Sequence, residues 1–309
     1  MKPELSEIYY KPSNPASFGG PSRLHKESSV SIKKAEQFLQ AQDTYTKNKN
    51  VRHKFKRRKI IVPHSMYLWQ ADLIILSNIG KINRGYKYIL TVIDCFSRKA
   101  AAVPLKRKTG KDVTFAFAKV FAEMGGKPKY LQCDQGKEFF NMEFKSFLSE
   151  HGVQLYHNFS DKKAAIVERF NRTLMMRLQK IFEHQKKRVY FNILPEVLSS
   201  YNKTYHTSIQ NTPNHVSSEN KFDTWLVIYK NLFTRDWPEK SKLQKNDIVR
   251  IKRLKQTFEK GYAQNFSNKL FKIVNVHSTK PFTYSLLDPT KNELIDGIFY
   301  DAELSKVKY

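Results

Sequence analysis

The stretch from Tyr67 to Leu105 most constrains the fold. It holds two long apolar runs rich in β-branched and aromatic residues, "YLWQADLIIL" and "YKYILTVIDCF", joined by "SNIGKINRG", with "KAAAVPL" close behind. Runs of this length bounded by glycine and polar residues read as strands, and the glycine-flanked connection suits a hairpin. Beyond Leu105 the pattern alternates. "GKDVTFAFAKVFAEMGG" has helical spacing and a Gly-Gly stop, "KYLQCD" is a fourth strand, "KEFFNMEFKSFLSEHG" a helix and "VQLYH" a short fifth strand. A polar loop then leads into "AIVERFNRTLMMRLQKIFEH", an amphipathic helix whose buried face carries Phe170, Leu174 and Leu178, and residues 190–205 suggest another. The expected fold is α/β: a mixed five-stranded sheet flanked by helices, over about 62–213, with strands one and four as neighbours.

Three acids sit where that geometry could gather them. Asp72 lies in the first strand, Asp134 ends the fourth, and Glu168 falls in the first turn of the long helix, with residues 135–167 supplying a helix, a strand and a loop between the last two. Clustered carboxylates repel one another, and hard divalent ions with oxygen ligands, above all Mg²⁺, neutralise them. Two such ions about 3.5–4 Å apart can activate a nucleophile and stabilise the leaving oxygen of an in-line phosphoryl displacement. In "LQCDQGKEFF" the apolar strand would hold Asp134, and Gly136 would let the chain turn close to a bound phosphate. A lone aspartate is more often a cap or a surface charge, so the weight rests on the combination. Asp94, in "VIDCFSRK", is a competing strand-end carboxylate, read as structural and pairing with Ser97 or Arg98. No histidine pair is matched to cysteines, so His53, His64 and His157 are not zinc candidates, and Cys95 and Cys133 read as core thiols.

Charge points to the partner. The chain carries 55 Lys and Arg against 28 Asp and Glu, a formal +27, whose self-repulsion a polyanion would relieve. Nucleic acid is the expected partner, and no membrane is. No stretch approaches the roughly 20 apolar residues of a spanning helix, and "MKPELSEIYY" does not resemble a signal peptide. A soluble, intracellular protein is expected. Residues 1–30, with scattered prolines and glycines, read as an irregular arm; in "SVSIKKAEQFLQAQDTYT" Ser31 is placed to cap a short helix burying Ala35, Phe38 and Leu39. The run "VRHKFKRRKIIV" suggests a phosphate-contacting linker or nuclear-import signal, with Lys56, Arg57 and Arg58 as DNA contacts, the alternative being a solvated connector. Near the end, "KNDIVRIKR", "KLFKIVNVHS", "FTYSLLDP" and "IDGIFY" are short strands at close spacing, the pattern of a small antiparallel barrel. The expected domains are 1–60 (arm, small helical module and basic linker), 61–215 (catalytic core), 216–244 (helical linker) and 245–309 (barrel).

"WQADL", "CDQGKEF" and "AAIVERFNRTL", in that order, resemble the integrase core of retroviruses, retrotransposons and Polinton/Maverick DNA transposons. "YYKPSNPASFGGPSRLHK", "FEKGYAQNFSNKLFKIVNV" and "IDGIFYDAEL" also look like parts of the transposon integrases. The resemblance implies an RNase H-like fold whose two aspartates and glutamate map onto Asp72, Asp134 and Glu168. Asp72 would bridge two Mg²⁺ or Mn²⁺ ions, Asp134 completing one site and Glu168 the other, for 3′-end processing and joining of element ends to target DNA. It further implies a C-terminal SH3-like or chromo-like DNA-binding barrel, a homo-oligomer, a double-stranded DNA partner and a nuclear location. Glu168 and Arg172, four apart, share a helix face with Arg169 to one side; Arg172, Arg169, Lys162 and Lys163 are the candidate backbone contacts of the core. Three features depart from the retroviral pattern: a slightly shorter spacing before Glu168, Ala165 where many have glycine, and no amino-terminal zinc module. The rival functions are an element-derived DNA-binding protein without catalysis and an RNase H-like nuclease that cuts without joining.

Overall fold

The computed structural model describes residues 4–52, 54, 55, 57, 58, 60–134, 136–156, 164–234, 237–255, 259, 260 and 262–308. The chain divides into two compact units, residues 60–235 and a unit made from both chain ends, 1–59 with 236–309.

The amino-terminal part holds four helices, α1 (Leu5–Tyr10), α2 (Pro21–Ser28), α3 (Ile32–Gln40) and α4 (Asp43–Asn48), with turns over 11–20. This corrects the irregular arm expected for residues 1–30. Pro21 opens α2 in its first turn, where a missing N–H breaks no helical bond, and Tyr9, Leu24, Ala35 and Leu39 share one buried cluster. Ser31 caps α3 as its sequence suggests, its hydroxyl accepting from Lys34 N at 3.3 Å.

Residues 60–235 form β1 (Leu68–Ile75), β2 (Tyr88–Asp94), β3 (Ala100–Leu105), α5 (Gly110–Met124), β4 (Tyr130–Gln132), α6 (Met142–Glu150), β5 (Gln154–Tyr156), α7 (Ala165–Gln185), α8 (Leu194–Lys203) and α9 (Lys221–Phe233). The sheet order is β3-β2-β1-β4-β5. The pairs of β2 with β1 and β3 are antiparallel, those of β4 with β1 and β5 parallel. Strands one and four are neighbours, as the carboxylate reading requires. Thr109 caps α5 through Asp112 N, and Gly125, at φ +78°, closes it in the left-handed region that glycine enters at no steric cost.

Successive side chains leave opposite faces of a strand, so the two cores tell where each residue points. Trp69, Ala71, Leu90, Val92, Leu131 and Cys133 join the core that holds Val113, Phe117 and Val120 of α5 and Phe144 and Leu148 of α6. Ile89, Ile93, Ala100 and Ala102 join the core of Val167, Phe170, Leu174 and Leu178 of α7 and Leu194 and Val197 of α8. Gln70 and Asp72 of β1 and Gln132 of β4, the alternate positions, therefore belong to the α7 face.

The other unit adds an all-antiparallel sheet of β6 (Ile248–Ile251), β7 (Phe271–His277), β8 (Thr283–Asp288), β9 (Glu293–Leu294), β10 (Phe299–Tyr300) and β11 (Leu304–Val307). Its order is β10-β8-β7-β6-β11, with β9 on β8, around Leu243, Val249, Ile273, Tyr284, Leu286 and Leu304. Arg250 of β6, only 2% exposed, ties this sheet to α4. Its guanidinium donates to Asp43 Oδ1 at 2.6 Å, Thr46 Oγ1 at 3.2 Å and the carbonyl of Ser267 at 2.9 Å. Backbone bonds repeat the link, from Phe266 N to Lys47 O at 3.0 Å and from Lys308 N to Gln40 O at 2.9 Å.

Candidate active site

The site starts from the β1–β4 ladder. Leu68 pairs with Tyr130, Trp69 with Leu131 and Gln70 with Gln132, where the ladder ends two residues before each aspartate. Burial, with the nearby Asp72 and Asp134 carboxylates adding to it, pushes the Cys133 thiol well above its ordinary range. Cys95, also a buried free thiol, is likewise raised, chiefly by burial.

Asp72 is half-buried and held. Its Oδ1 accepts from Leu73 N at 2.8 Å, and its Oδ2 from Asn171 Nδ2 at 2.8 Å. Asn171 lies three residues after Glu168 on α7, so the two share a helix face, and the face that carries Glu168 is the one that touches Asp72. Asn171 Oδ1 is buried with no hydrogen-bond partner. Asp134 and Glu168 are exposed. Among the described residues no three His, Cys, Asp or Glu side chains close to metal-holding distances; β1, β4 and α7 bring the elements of the three acids together without closing them on one point.

The amino terminus of α7 has no cap of its own. Gln70 supplies one from β1: its Oε1 accepts from both Ile166 N and Val167 N at 3.0 Å, while its Nε2 donates to Gln132 Oε1 at 2.8 Å. Gln70, Gln132 and Asn171 escape a reading of the acids alone. The signal was present: "QAD" and "QCD" each place a glutamine two residues before an acid.

Asp94 is structural. It is 1% exposed, and its Oδ1 accepts from Phe96 N at 2.9 Å, Ser97 N at 2.7 Å and Ser97 Oγ at 3.0 Å. Its Oδ2 accepts from Met66 N at 2.6 Å and Trp69 Nε1 at 3.0 Å. The Ser97 pairing is therefore present, whereas the Arg98 side chain donates to Cys95 O at 2.7 Å instead. A Cβ at Gly136 would come within 2.6 Å of the Glu138 carboxyl carbon, the far end of a flexible side chain.

Arg169 and Arg172 are exposed on α7, and among the described residues no ion pair joins Arg172 to Glu168. Arg57 lies 4.0 Å over the Phe55 ring and 3.6 Å from Glu303, and Arg58 N donates to Tyr300 Oη at 3.1 Å. His53, Lys56, His157, Lys162 and Lys163 lie outside the described residues. His64 is exposed, its Nδ1 2.7 Å from the carbonyl of Ser65.

A five-stranded mixed sheet in this order, with Asp72 within the central β1 and Asp134 just after its neighbour β4, defines an RNase H-like integrase core, and residues 63–161 match the Integrase core domain family. A transposon-derived protein of Caenorhabditis elegans is 32% identical over 222 residues, 72% of this chain and 73% of that protein. The chain belongs to this family of transposon-derived proteins with an integrase core. The retrovirus-related Pol polyprotein from transposon 297 of Drosophila melanogaster is 27% identical over 117 residues, 38% of this chain but only 11% of that polyprotein. Among solved structures, the simian T-cell lymphotropic virus intasome in complex with the PP2A regulatory subunit B56 gamma contains a chain that aligns with a TM-score of 0.65 at 16% identity. That alignment covers 94% of this chain and 96% of that one. The likeness in fold extends to the C-terminal sheet, which fits an SH3-like module.

Proposed function

We propose that this protein is a metal-dependent DNA integrase of a Polinton/Maverick-type mobile element, which processes element ends and joins their 3′ hydroxyls to target DNA. One observation carries this: β1, which holds Asp72, pairs in parallel with β4, which leads into Asp134, while the face of α7 that holds Glu168 contacts Asp72 through Asn171. The donor set suits two Mg²⁺ or Mn²⁺ ions: three carboxylates, all hard oxygen ligands, beside a buried Asn171 Oδ1 that lacks a partner. Asp72, Asp134 and Glu168 would hold them, and bound there the ions would activate the attacking oxygen and stabilise the leaving one. The protein's own contribution is placement. Gln70 orients the start of α7, Asn171 holds the Asp72 carboxylate, and the apolar strands fix Asp72 within β1 and the chain that leads into Asp134.

The charge of +27 supports double-stranded DNA, element end and target, as the partner. Exposed Arg57, Arg58, Arg169 and Arg172 are proposed phosphate contacts, with the SH3-like sheet as a second DNA-binding surface. We further place the protein in the nucleus as a homo-oligomer, since two ends must be joined in one event. The test is a strand-transfer assay with labelled element ends, Mg²⁺ or Mn²⁺ and supercoiled target. Joined products support the reading. Cutting without joining indicates a nuclease, and tight binding with neither indicates a DNA-binding protein that no longer catalyses.

A further inference from the structure

We infer that Gln70 and Gln132 form a buried clamp that positions the three candidate carboxylates relative to one another. The inference rests on the metal-site reading above. Each glutamine is 1% exposed and lies two residues before one of the aspartates, Gln70 on the same face of β1 as Asp72 and Gln132 as the last residue of β4. Their side chains meet at 2.8 Å across the β1–β4 ladder. The remaining end of Gln70 takes the amides of Ile166 and Val167, two residues and one residue before Glu168. One amide side chain thus joins all three elements, at points no more than two residues from each acid.

The chemistry makes this arrangement discrete. Two backbone N–H donors require an oxygen at that end of Gln70, which turns its Nε2 toward Gln132 and fixes the Gln132 oxygen in turn. Shifting β4 by one residue would send Gln132 to the opposite face and leave Gln70 Nε2 buried without a partner. Withdrawing α7 would orphan two of the amides that every helix leaves open at its start. A leucine would serve the packing at either position equally well. Only an amide pair also sets register and helix position, and a buried network completed in this way rigidifies what it joins. Neither glutamine bonds to Asp72, Asp134 or Glu168, so both are positioning residues, acting through the backbone.

The test compares full-length wild type with Gln70→Met and Gln132→Met, which keep length and apolar bulk and remove the bonds. Mn²⁺ affinity is measured by titration calorimetry well below each melting temperature, alongside hydrogen exchange at the Ile166 and Val167 amides. Gln70→Met should weaken Mn²⁺ binding by on the order of 10–100-fold, the range typical of residues that support metal ligands, and should expose both amides to exchange. Gln132→Met, which leaves the α7 acceptor in place, should weaken Mn²⁺ less and keep the amides protected. Gln70→Glu, still an acceptor, should restore amide protection. A purely structural role would lower the melting temperature of the Met variants and leave Mn²⁺ affinity unchanged; that result, in folded variants, overturns the clamp. If wild type binds no Mn²⁺ and joins no DNA, the metal-site reading fails. The clamp is then decided by exchange alone, and amides equally protected in wild type and Gln70→Met refute it.

Discussion

Asp94 ends β2 and Asp134 follows β4 by two residues, in similar sequence settings, "VIDCFSRK" and "LQCDQGKEF", yet their surroundings differ completely. Five donors converge on the buried Asp94 carboxylate. A carboxylate offers about four lone-pair sites, so Asp94 has none left for a cation. Asp134 is exposed, and among the described residues no donor reaches its carboxylate. The first aspartate has spent its hydrogen-bonding capacity on the turn between β2 and β3 and on Met66 and Trp69; the second keeps its capacity free beside Asp72. A strand-end acid is thus classified by how many donors the fold brings to it.

The widest separation between the two should appear in activity. Asp134→Asn preserves shape but removes charge, so end joining should fall by more than the roughly 10–100-fold typical of residues that merely support metal ligands. Asp94→Asn should join DNA at near wild-type rate per folded molecule. A gel-based joining assay at matched folded concentration checks both, and an Asp134→Asn enzyme that joins normally removes it from the site.

Stability should reverse the order. In Asp94→Asn an NH₂ group replaces one acceptor oxygen and faces buried donors that are left without an acceptor, which should cost about 3 kcal/mol. Urea unfolding with an unchanged slope is the measure; a loss below about 1 kcal/mol would mean the five bonds are dispensable. Ser97→Ala removes one of the five and should cost about 1 kcal/mol, with activity unchanged. Smallest is the effect of Asp134→Asn on metal-free stability. Relief of repulsion with Asp72 should leave the melting temperature level or raise it by about 2 °C, on the scale of 2–4 °C per kcal/mol for domains of this size. A clear fall in differential scanning calorimetry would assign Asp134 a structural role like that of Asp94.

Much of the core was legible because its patterns are local. The apolar runs of β1, β2 and β3, the Thr109 and Gly125 boundaries of α5 and the buried stripe of α7 are each written within a few residues, and the pairing of β1 with β4 follows from the order of hairpin and crossover. Asp94 could be set aside because Ser97 stood within reach in sequence. Less legible was the end of β4: "KYLQCD" reads as one run, but the ladder stops at Gln132, before the acid. The helices α1 and α2 were missed because their apolar residues pack on partners distant in sequence. Tyr9 meets Thr44 at 3.3 Å and Tyr10 meets Gln42 at 2.8 Å, contacts that no short window contains.

By itself, then, the sequence determined the strand and helix inventory of the core, the acids worth considering and the cationic character, since period, spacing and charge are properties of neighbouring residues. Tertiary structure alone decided three things: that Asp94 is saturated and Asp134 is not, that Gln70 caps a helix begun at Ala165, and that Arg250 joins the C-terminal sheet to α4. Each depends on where a buried donor finds its acceptor. Burial forces every such group to be paired, and which partner it takes is settled only when segments far apart in the chain come together.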